Sequence, residues 1–281
     1  MNILAYLKTL RIHQWLKNLM LFFPPFLGGA LLQPGMAQRG ILPFLAFSLA
    51  SSATYIFNDL RDLERDRLHP QKCKRPLAAS EIGSLEGFVL MAFLLLGAVF
   101  MGMQVNNRFL VFVGLYLLFS GLYSLILKDW PIVDVFCISL GFVLRLYAGG
   151  EAFGVYVSDW LFLTVFLLAL FLSLGKRHAE RLLLGALAGQ HRLILEAYPD
   201  GFLEKAMYLC GGAVIVTYAI YALRYPYLVY TVPLCMFGLL RYLFRIKAGR
   251  NGDPTQALLC DLPLLFTSVI WVVMVAWSVY Q

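Results

Sequence analysis

Asn58, Asp59, Asp62 and Asp66 are placed where chemistry could be done. The aspartates are spaced i, i+3, i+7, and Asn58, Asp62 and Asp66 follow at i, i+4, i+8. On a helix these positions share one face. Carboxylates along one stripe repel each other unless a cation lies between them. Hard oxygen ligands, completed by substrate phosphates, are how Mg2+ is usually held. The plainer reading is a solvated helix end, with Arg61, Glu64, Arg65 and Arg67 pairing along it. Against it, Asn58 and Asp59 follow directly on an apolar run, at a membrane boundary, where unpaired charge is costly. His69-Pro70 then ends the helix, and Lys72, Lys74 and Arg75 follow before Pro76. Cations beside an acidic stripe suit a phosphate clamp, with metal on one side and Lys/Arg on the other. Arg75, fixed by the next proline, is the strongest of the three. Lys72 and Lys74 read equally as ordinary loop charge.

The elements that must carry this motif are membrane helices. The chain has 281 residues, 60% of them hydrophobic and only 14% charged, with mean hydropathy +0.75. Apolar runs long enough to cross a bilayer as helices occupy about 18–33, 40–57, 84–103, 108–127, 131–150, 158–175, 206–223, 226–244 and 261–280. This predicts an all-α, polytopic protein of nine spans in one domain, 1–281, with its termini on opposite sides. The segment before the first run has basic and aromatic residues instead of a signal peptide's apolar core, and reads as an amphipathic stretch in the interface. Five scattered cysteines, at 73, 137, 210, 235 and 260, argue against a disulfide framework or a zinc site. With the N-terminus in the cytoplasm, only Arg39, Arg108 and Arg224 fall outside and Arg145 within a span; the other Lys and Arg residues gather in cytoplasmic segments. That is the positive-inside pattern, so the expected site is a bacterial-type plasma membrane, with the C-terminus outside. A nucleic-acid partner is not expected, and assembly as a homo-oligomer is left open.

Other polar residues could join the site. The second and sixth spans both end in charged helical extensions, NDLRDLERD and GKRHAERLL. Such an echo suggests a repeat with a site between its halves. Lys128 and Asp134 flank a Trp-Pro turn and either face the cavity or serve as a helix-end lysine and a first-turn aspartate favoured by the helix dipole. Tyr123 and Ser124 lie about one turn before Lys128 and could add hydroxyl donors. Arg145 lies inside the fifth span, where an arginine costs about 2.5–3.5 kcal/mol. It is expected to meet the phosphate of a lipid or a carboxylate. Lys17 and Asn18 sit at the cytoplasmic mouth near Gln14 and Trp15, the last an interface anchor.

These residues carry a resemblance. NDLRDLERD fits the NDxxDxxxD signature of the UbiA-type membrane prenyltransferases, and nine helices fit that fold, with its cytoplasm-facing active site. Within the superfamily the chain resembles the decaprenyl-phosphate phosphoribosyltransferase branch, through RIHQWLKN (11–18), NDLRDLERDRLHPQKCKRP (58–76), YSLILKDWPIVDV (123–135), FVLRLYAGG (142–150), SLGKRHAE (173–180), and RYLFRIKAG with its following DP and DLPLL (241–265). Where quinone-type relatives carry a second aspartate motif, this chain has Gly175-Lys176-Arg177-His178-Ala179-Glu180. The resemblance implies a Mg2+-dependent pentosyltransferase that moves 5-phosphoribosyl from phosphoribosyl pyrophosphate to a polyprenyl phosphate, in the setting of cell-wall synthesis. Asp59, Asp62 and Asp66 would be catalytic metal ligands. Lys17, Asn58, Arg75, Tyr123, Lys128, Asp134, Arg145, Lys176, Arg177 and Glu180 would bind substrate. His69 could position a phosphate. The alternatives are a quinone-type prenyltransferase, which the basic GKRHAE wall disfavours, and a transporter, which the clustering of motifs on one side disfavours.

Overall fold

A computed structural model describes residues 3–68, 72–185 and 194–281. His69 and Pro70 therefore lie outside the described residues, as does Arg192. Among the described residues there are helices and turns and no strand. Short helices α1 (Ile3–Leu10), α2 (Phe23–Leu27) and α3 (Met36–Arg39) lead to α4 (Ile41–Arg61) and its extension α5 (Leu63–Arg67). There follow α6 (Ser84–Met103), α7 (Asn107–Leu125), α8 (Val133–Phe153), α9 (Asp159–Leu184), the short α10 (Ile194–Ala197), α11 (Phe202–Ala222), α12 (Val232–Lys247), the short α13 (Pro254–Cys260) and α14 (Leu262–Tyr280). Among the described residues, eight helical stretches, built on α4, α6, α7, α8, α9, α11, α12 with the turn before it, and α14, are long and apolar enough to span a bilayer. Their outer faces are rich in exposed Leu, Phe and Val, as a lipid solvent requires. The most extensive pairings are α4 with α6 and α9 with α11, so each of the two charged helices packs chiefly on its successor. This is consistent with the internal echo.

The first crossing differs from expectation. The run predicted at 18–33 does not form one helix. Residues Ile12–Phe22 form a 3-10 helix of 11 residues, and α2 adds 5 more. At about 2.0 Å rise per 3-10 residue and about 1.5 Å per α residue, the pair reaches about 30 Å, the thickness of the hydrocarbon core. Its contacts step along α4 in the antiparallel sense. Arg11 meets Asp59 at the charged end of α4, Asn18 donates to Ser48 and Ser51 midway, and the Phe22 ring packs on Phe44 near the opposite end. Among the described residues, the eight long helices and this stretched segment together give nine segments long enough to cross. The tighter coil is narrow, and it lies in a groove of small residues. Ser48, Ser51 and Ser52 are buried against it, and a Cβ on Gly149 of α8 would stand 2.1 Å from the Leu21 carbonyl oxygen. Such close backbone approach is what small residues permit between membrane helices.

At the charged end, Asp261 clamps α12 to α14. Arg241 donates to both of its oxygens at 3.0 and 3.1 Å, Arg245 to one at 2.7 Å, and the Leu264 N–H caps the helix start on the same carboxylate. The Arg241 contacts, with Arg245 and that N–H adding to them against the cost of burial, hold the Asp261 carboxyl far below the usual range. A depressed carboxyl stabilises the fold above its unfolded pKa, about 3.9, and the benefit is lost as pH falls through the folded value. Detergent-purified protein is therefore expected to lose thermal stability below about pH 4. Asp261→Asn should start lower and show a flatter profile in that acid window, as melting curves across pH would record.

Candidate active site

The acidic stripe survives as one face, although the helix breaks at Asp62 (φ −98°, ψ 10°). The chain continues in register because the Asp62 N–H donates to the Asn58 carbonyl and the Asp66 N–H to that of Asp62. Asn58 is half-buried on this face; Asp59 and Asp66 are buried. Arg11 Nη2 holds both oxygens of Asp59, at 2.6 and 2.7 Å. Arg75 Nη1 bridges Asp59, at 2.8 Å, and Asp66, and Lys72 lies 3.9 Å from Asp66. Asp62 is turned to Lys128, on the turn after α7. Burial pushes the Asp66 carboxyl up even with Arg75 and Lys72 beside it, a cost that more positive charge would relieve.

These contacts bear on whether a divalent cation fits. Among the described residues no three carboxylate, imidazole or thiol groups form a ready metal cage. The donors are nevertheless hard oxygens, and the Arg75 guanidinium already bridges two of them as a cation would. The carboxylate oxygens of Asp59, Asp62 and Asp66 would suit a hard metal ion.

A second cluster surrounds Arg177. Its Nε donates to Asp134 Oδ2 at 2.6 Å, Nη1 to Glu180 at 3.1 Å and Nη2 to the Tyr123 hydroxyl at 3.3 Å. Arg177 is 2% exposed and Asp134 is 0% exposed. Every guanidinium nitrogen is thus engaged, and Arg177 ties α7, α8 and α9 together from within. Tyr198, after α10, closes the cluster. Its hydroxyl donates to Asp134 Oδ1 at 2.8 Å and accepts the Ile132 N–H at 2.8 Å. Ile132 has φ 68° and ψ −47°, a γ-turn conformation that is strained for any L-residue and more so for a β-branched one. The tyrosine bond is one of the contacts that hold it there.

Lys176 faces the other way. Its Nζ is 3.3 Å from Asp253 Oδ2, while Asp253 Oδ1 caps α13 through the N–H groups of Thr255 and Gln256. Two glycines bring these partners together. A Cβ on Gly175 would press the Tyr242 ring at 2.6 Å, and one on Gly252 would meet Ala179 at 2.6 Å, so α9 seats directly on α12 and on the loop that carries Asp253. Burial works against charge on Asp253, but Lys176, Lys17 and the Gln256 N–H outweigh it and hold the carboxyl below its usual range.

Arg145 is buried without a carboxylate partner among the described residues. It donates to Asn18 at 2.8 Å, the Gly141 carbonyl at 2.8 Å and the Tyr116 hydroxyl at 3.0 Å, and lies 4.6 Å from the Tyr116 ring centroid. Neutral acceptors and ring faces solvate it, so its positive charge remains uncancelled. Lys17, half-buried on the 3-10 crossing, also has no ion-pair partner among the described residues.

The site residues named from sequence thus fall into three groups: Asp59, Asp62, Asp66, Arg75 and Lys128 beside Asn58; Tyr123, Asp134, Arg177 and Glu180; and Lys176, Lys17 and Arg145. Sequence reasoning missed Arg11, Tyr198 and Asp253. Asp253 did carry a local signal, an aspartate just before a helix-starting proline, but nothing local announced its lysine.

The UbiA prenyltransferase family profile matches residues 22–270. A decaprenyl-phosphate phosphoribosyltransferase of Corynebacterium glutamicum is 31% identical to this chain, over 98% of it and 86% of the relative. Its namesake in Mycobacterium tuberculosis is also 31% identical, over 97% and 93%. Among solved structures, a UbiA homolog from Archaeoglobus fulgidus bound to GPP and Mg2+ superimposes with a TM-score of 0.77 at 22% identity, covering 99% of this chain and 100% of that one.

Proposed function

Since this chain belongs to the UbiA prenyltransferase family, we propose that it is a multi-pass membrane phosphoribosyltransferase, moving 5-phosphoribosyl from phosphoribosyl pyrophosphate to a polyprenyl phosphate. The observation that carries this reading is the asymmetry of the two motif helices: α4 and its extension carry Asp59, Asp62 and Asp66, whereas α9 carries Lys176 at the corresponding place, with Arg177 turned inward on Asp134 and Glu180. A donor with a diphosphate at one end and a monophosphate at the other suits such walls. The relatives named above for this activity match the chain almost end to end.

Asp59, Asp62 and Asp66 would hold Mg2+, as the Mg2+-bound homolog of the same fold suggests. Bound there, the metal would neutralise charge on the departing diphosphate. The chain's own residues do the rest. Arg11, Arg75 and Lys128 sit beside the aspartates and would give the diphosphate charge-assisted contacts. The bond between the anomeric carbon and the diphosphate oxygen breaks, and the electron pair leaves with pyrophosphate. A lipid phosphate oxygen forms the new bond from the opposite face, with inversion. That oxygen is already anionic at neutral pH, so the site needs no strong general base. Alignment and charge neutralisation supply the rate. Basic residues concentrate at the charged end of the bundle, so that end faces the cytoplasm by the positive-inside rule, with the N-terminus inside and the C-terminus outside.

The test uses purified protein with labelled phosphoribosyl pyrophosphate, a polyprenyl phosphate and Mg2+. Label should pass to lipid, and EDTA should stop it. Label passing only from an isoprenyl diphosphate to an aromatic acceptor would replace this reading with the prenyltransferase one. No transfer from either donor would refute both.

A further inference from the structure

We infer that the turn between α7 and α8 is held under strain to set the geometry of the site, with Ile132 and Tyr198 as positioning residues for the transfer. The reaction it serves rests on the proposed function. The turn joins two contacts only six positions apart. Before it, Lys128 pairs with Asp62 of the acidic stripe; after it, Asp134 pairs with Arg177. What fixes the turn therefore fixes how the acidic cluster and the Arg177 cluster stand to each other. Local bonds hold it closely. Trp130 is extended (φ −102°, ψ 119°), as suits a residue before proline, and its N–H donates to the Leu127 carbonyl at 3.3 Å. The Val133 N–H donates to the Pro131 carbonyl at 2.8 Å, which closes a three-residue turn centred on Ile132. The Asp134 N–H then reaches the Trp130 carbonyl at 3.1 Å.

The backbone at Ile132 is not one its side chain favours. Four non-glycine residues have left-handed φ among the described residues, and Ile132 is the β-branched one. Glycine would adopt this φ without steric cost. Burial does not offset the strain, because Ile132 is 46% exposed and Trp130 60%. The hold comes from outside the turn. The Tyr198 hydroxyl accepts the Ile132 N–H and donates to Asp134 Oδ1, both at 2.8 Å. Arg181 of α9 fixes that tyrosine's own segment through the Tyr198 and Pro199 carbonyls, at 2.9 and 3.2 Å. One hydroxyl thus grips the strained residue and the carboxylate two places on. Backbone strain persists only where neighbours over-determine it, and it gathers at functional sites. A relaxed turn would let Lys128 and Asp134 shift together, and a misplacement of about 1 Å at a reacting centre can cost about 100-fold in rate.

The experiment compares kcat, KM for the donor and melting temperature for variants of the full chain in nanodiscs, assayed by label transfer to polyprenyl phosphate. Ile132→Gly relieves the strain. It should melt at or above the parent's temperature, yet lower kcat about tenfold or more with KM little changed. Ile132→Val keeps the branch and should match the parent. Tyr198→Phe keeps its ring against Phe202 and should lower both melting temperature and kcat. Adding Ile132→Gly to it should return part of the melting temperature and none of the kcat. Tyr218→Phe gives up buried bonds to Thr231 and Trp271 toward the far end of α11; it should lower melting temperature and leave kcat alone. The role is overturned if Ile132→Gly keeps the parent's kcat, or if kcat simply follows melting temperature across the set. A parent that transfers only from an isoprenyl diphosphate replaces the proposed reaction, and the same comparison with that donor then decides the role. A parent that transfers from neither donor removes the reaction and the role together, whereas full activity in Ile132→Gly removes the role alone.

Discussion

Asp62→Asn lowers phosphoribosyl transfer by about 10²–10³-fold or more and leaves the melting temperature close to that of the parent. Asp62 is the aspartate with the least structural work. It stands at the break between α4 and α5, and its side-chain ion pair is with Lys128. Asparagine can still hydrogen-bond that lysine, but cannot supply the negative charge a metal ion needs. Asp59 is a poorer probe, because it also anchors Arg11 and Arg75. Label transfer and thermal melting on the same preparation check both halves of the expectation. Undiminished transfer by Asp62→Asn would remove the metal assignment.

Arg177→Met is expected to cost about 3–5 kcal/mol of stability, since it leaves Asp134 buried with its charge unpaired. Asp134→Leu alone should cost less, since the guanidinium loses its buried partner but keeps Glu180 and Tyr123. Combining the two should recover much of the loss, because an apolar pair of matching volume replaces a buried ion pair at little cost. Denaturant unfolding of the singles and the double, read as a cycle, would show this. Fully additive losses would mean that Arg177 and Asp134 act independently, contrary to their 2.6 Å contact. Tyr198→Phe belongs to the same cluster and should cost less, about 1–3 kcal/mol, for the bonds it gives up to Asp134 and Ile132.

Much of the site was legible because it is local. Asp59, Asp62 and Asp66 lie within two helical turns, so their spacing alone puts them on one face. Arg145 was legible as an anomaly, a charge inside an apolar run, but not its solution: its Asn18 partner is 127 positions away. Arg11 with Asp59, Lys176 with Asp253 and Tyr198 with Asp134 are separated by 48, 77 and 64 positions. Such pairs form only when helices pack, and no periodicity announces them. The long spans were legible from hydropathy because lipid admits few other structures. The first crossing was placed late because hydropathy weighs apolar content, and His13, Gln14, Lys17 and Asn18 dilute the start of the segment that crosses. Asn18 is tolerated at depth because neighbours within the protein, the α4 serines and Arg145, receive it.

That stretched crossing has a consequence for how the chain can vary in length. With three residues per turn, side chains stack in straight columns. Trp15 bonds Ser52 and Asn18, three positions on, bonds Ser48, while the Leu21 backbone passes Gly149 after three more. Adding or removing one residue between Trp15 and Leu21 would swing the remainder through about a third of a circle and aim Asn18 away from Arg145. A change of three would return every group to its own column. In this segment, relatives of differing length should differ in multiples of three, where an ordinary helix would favour steps of seven.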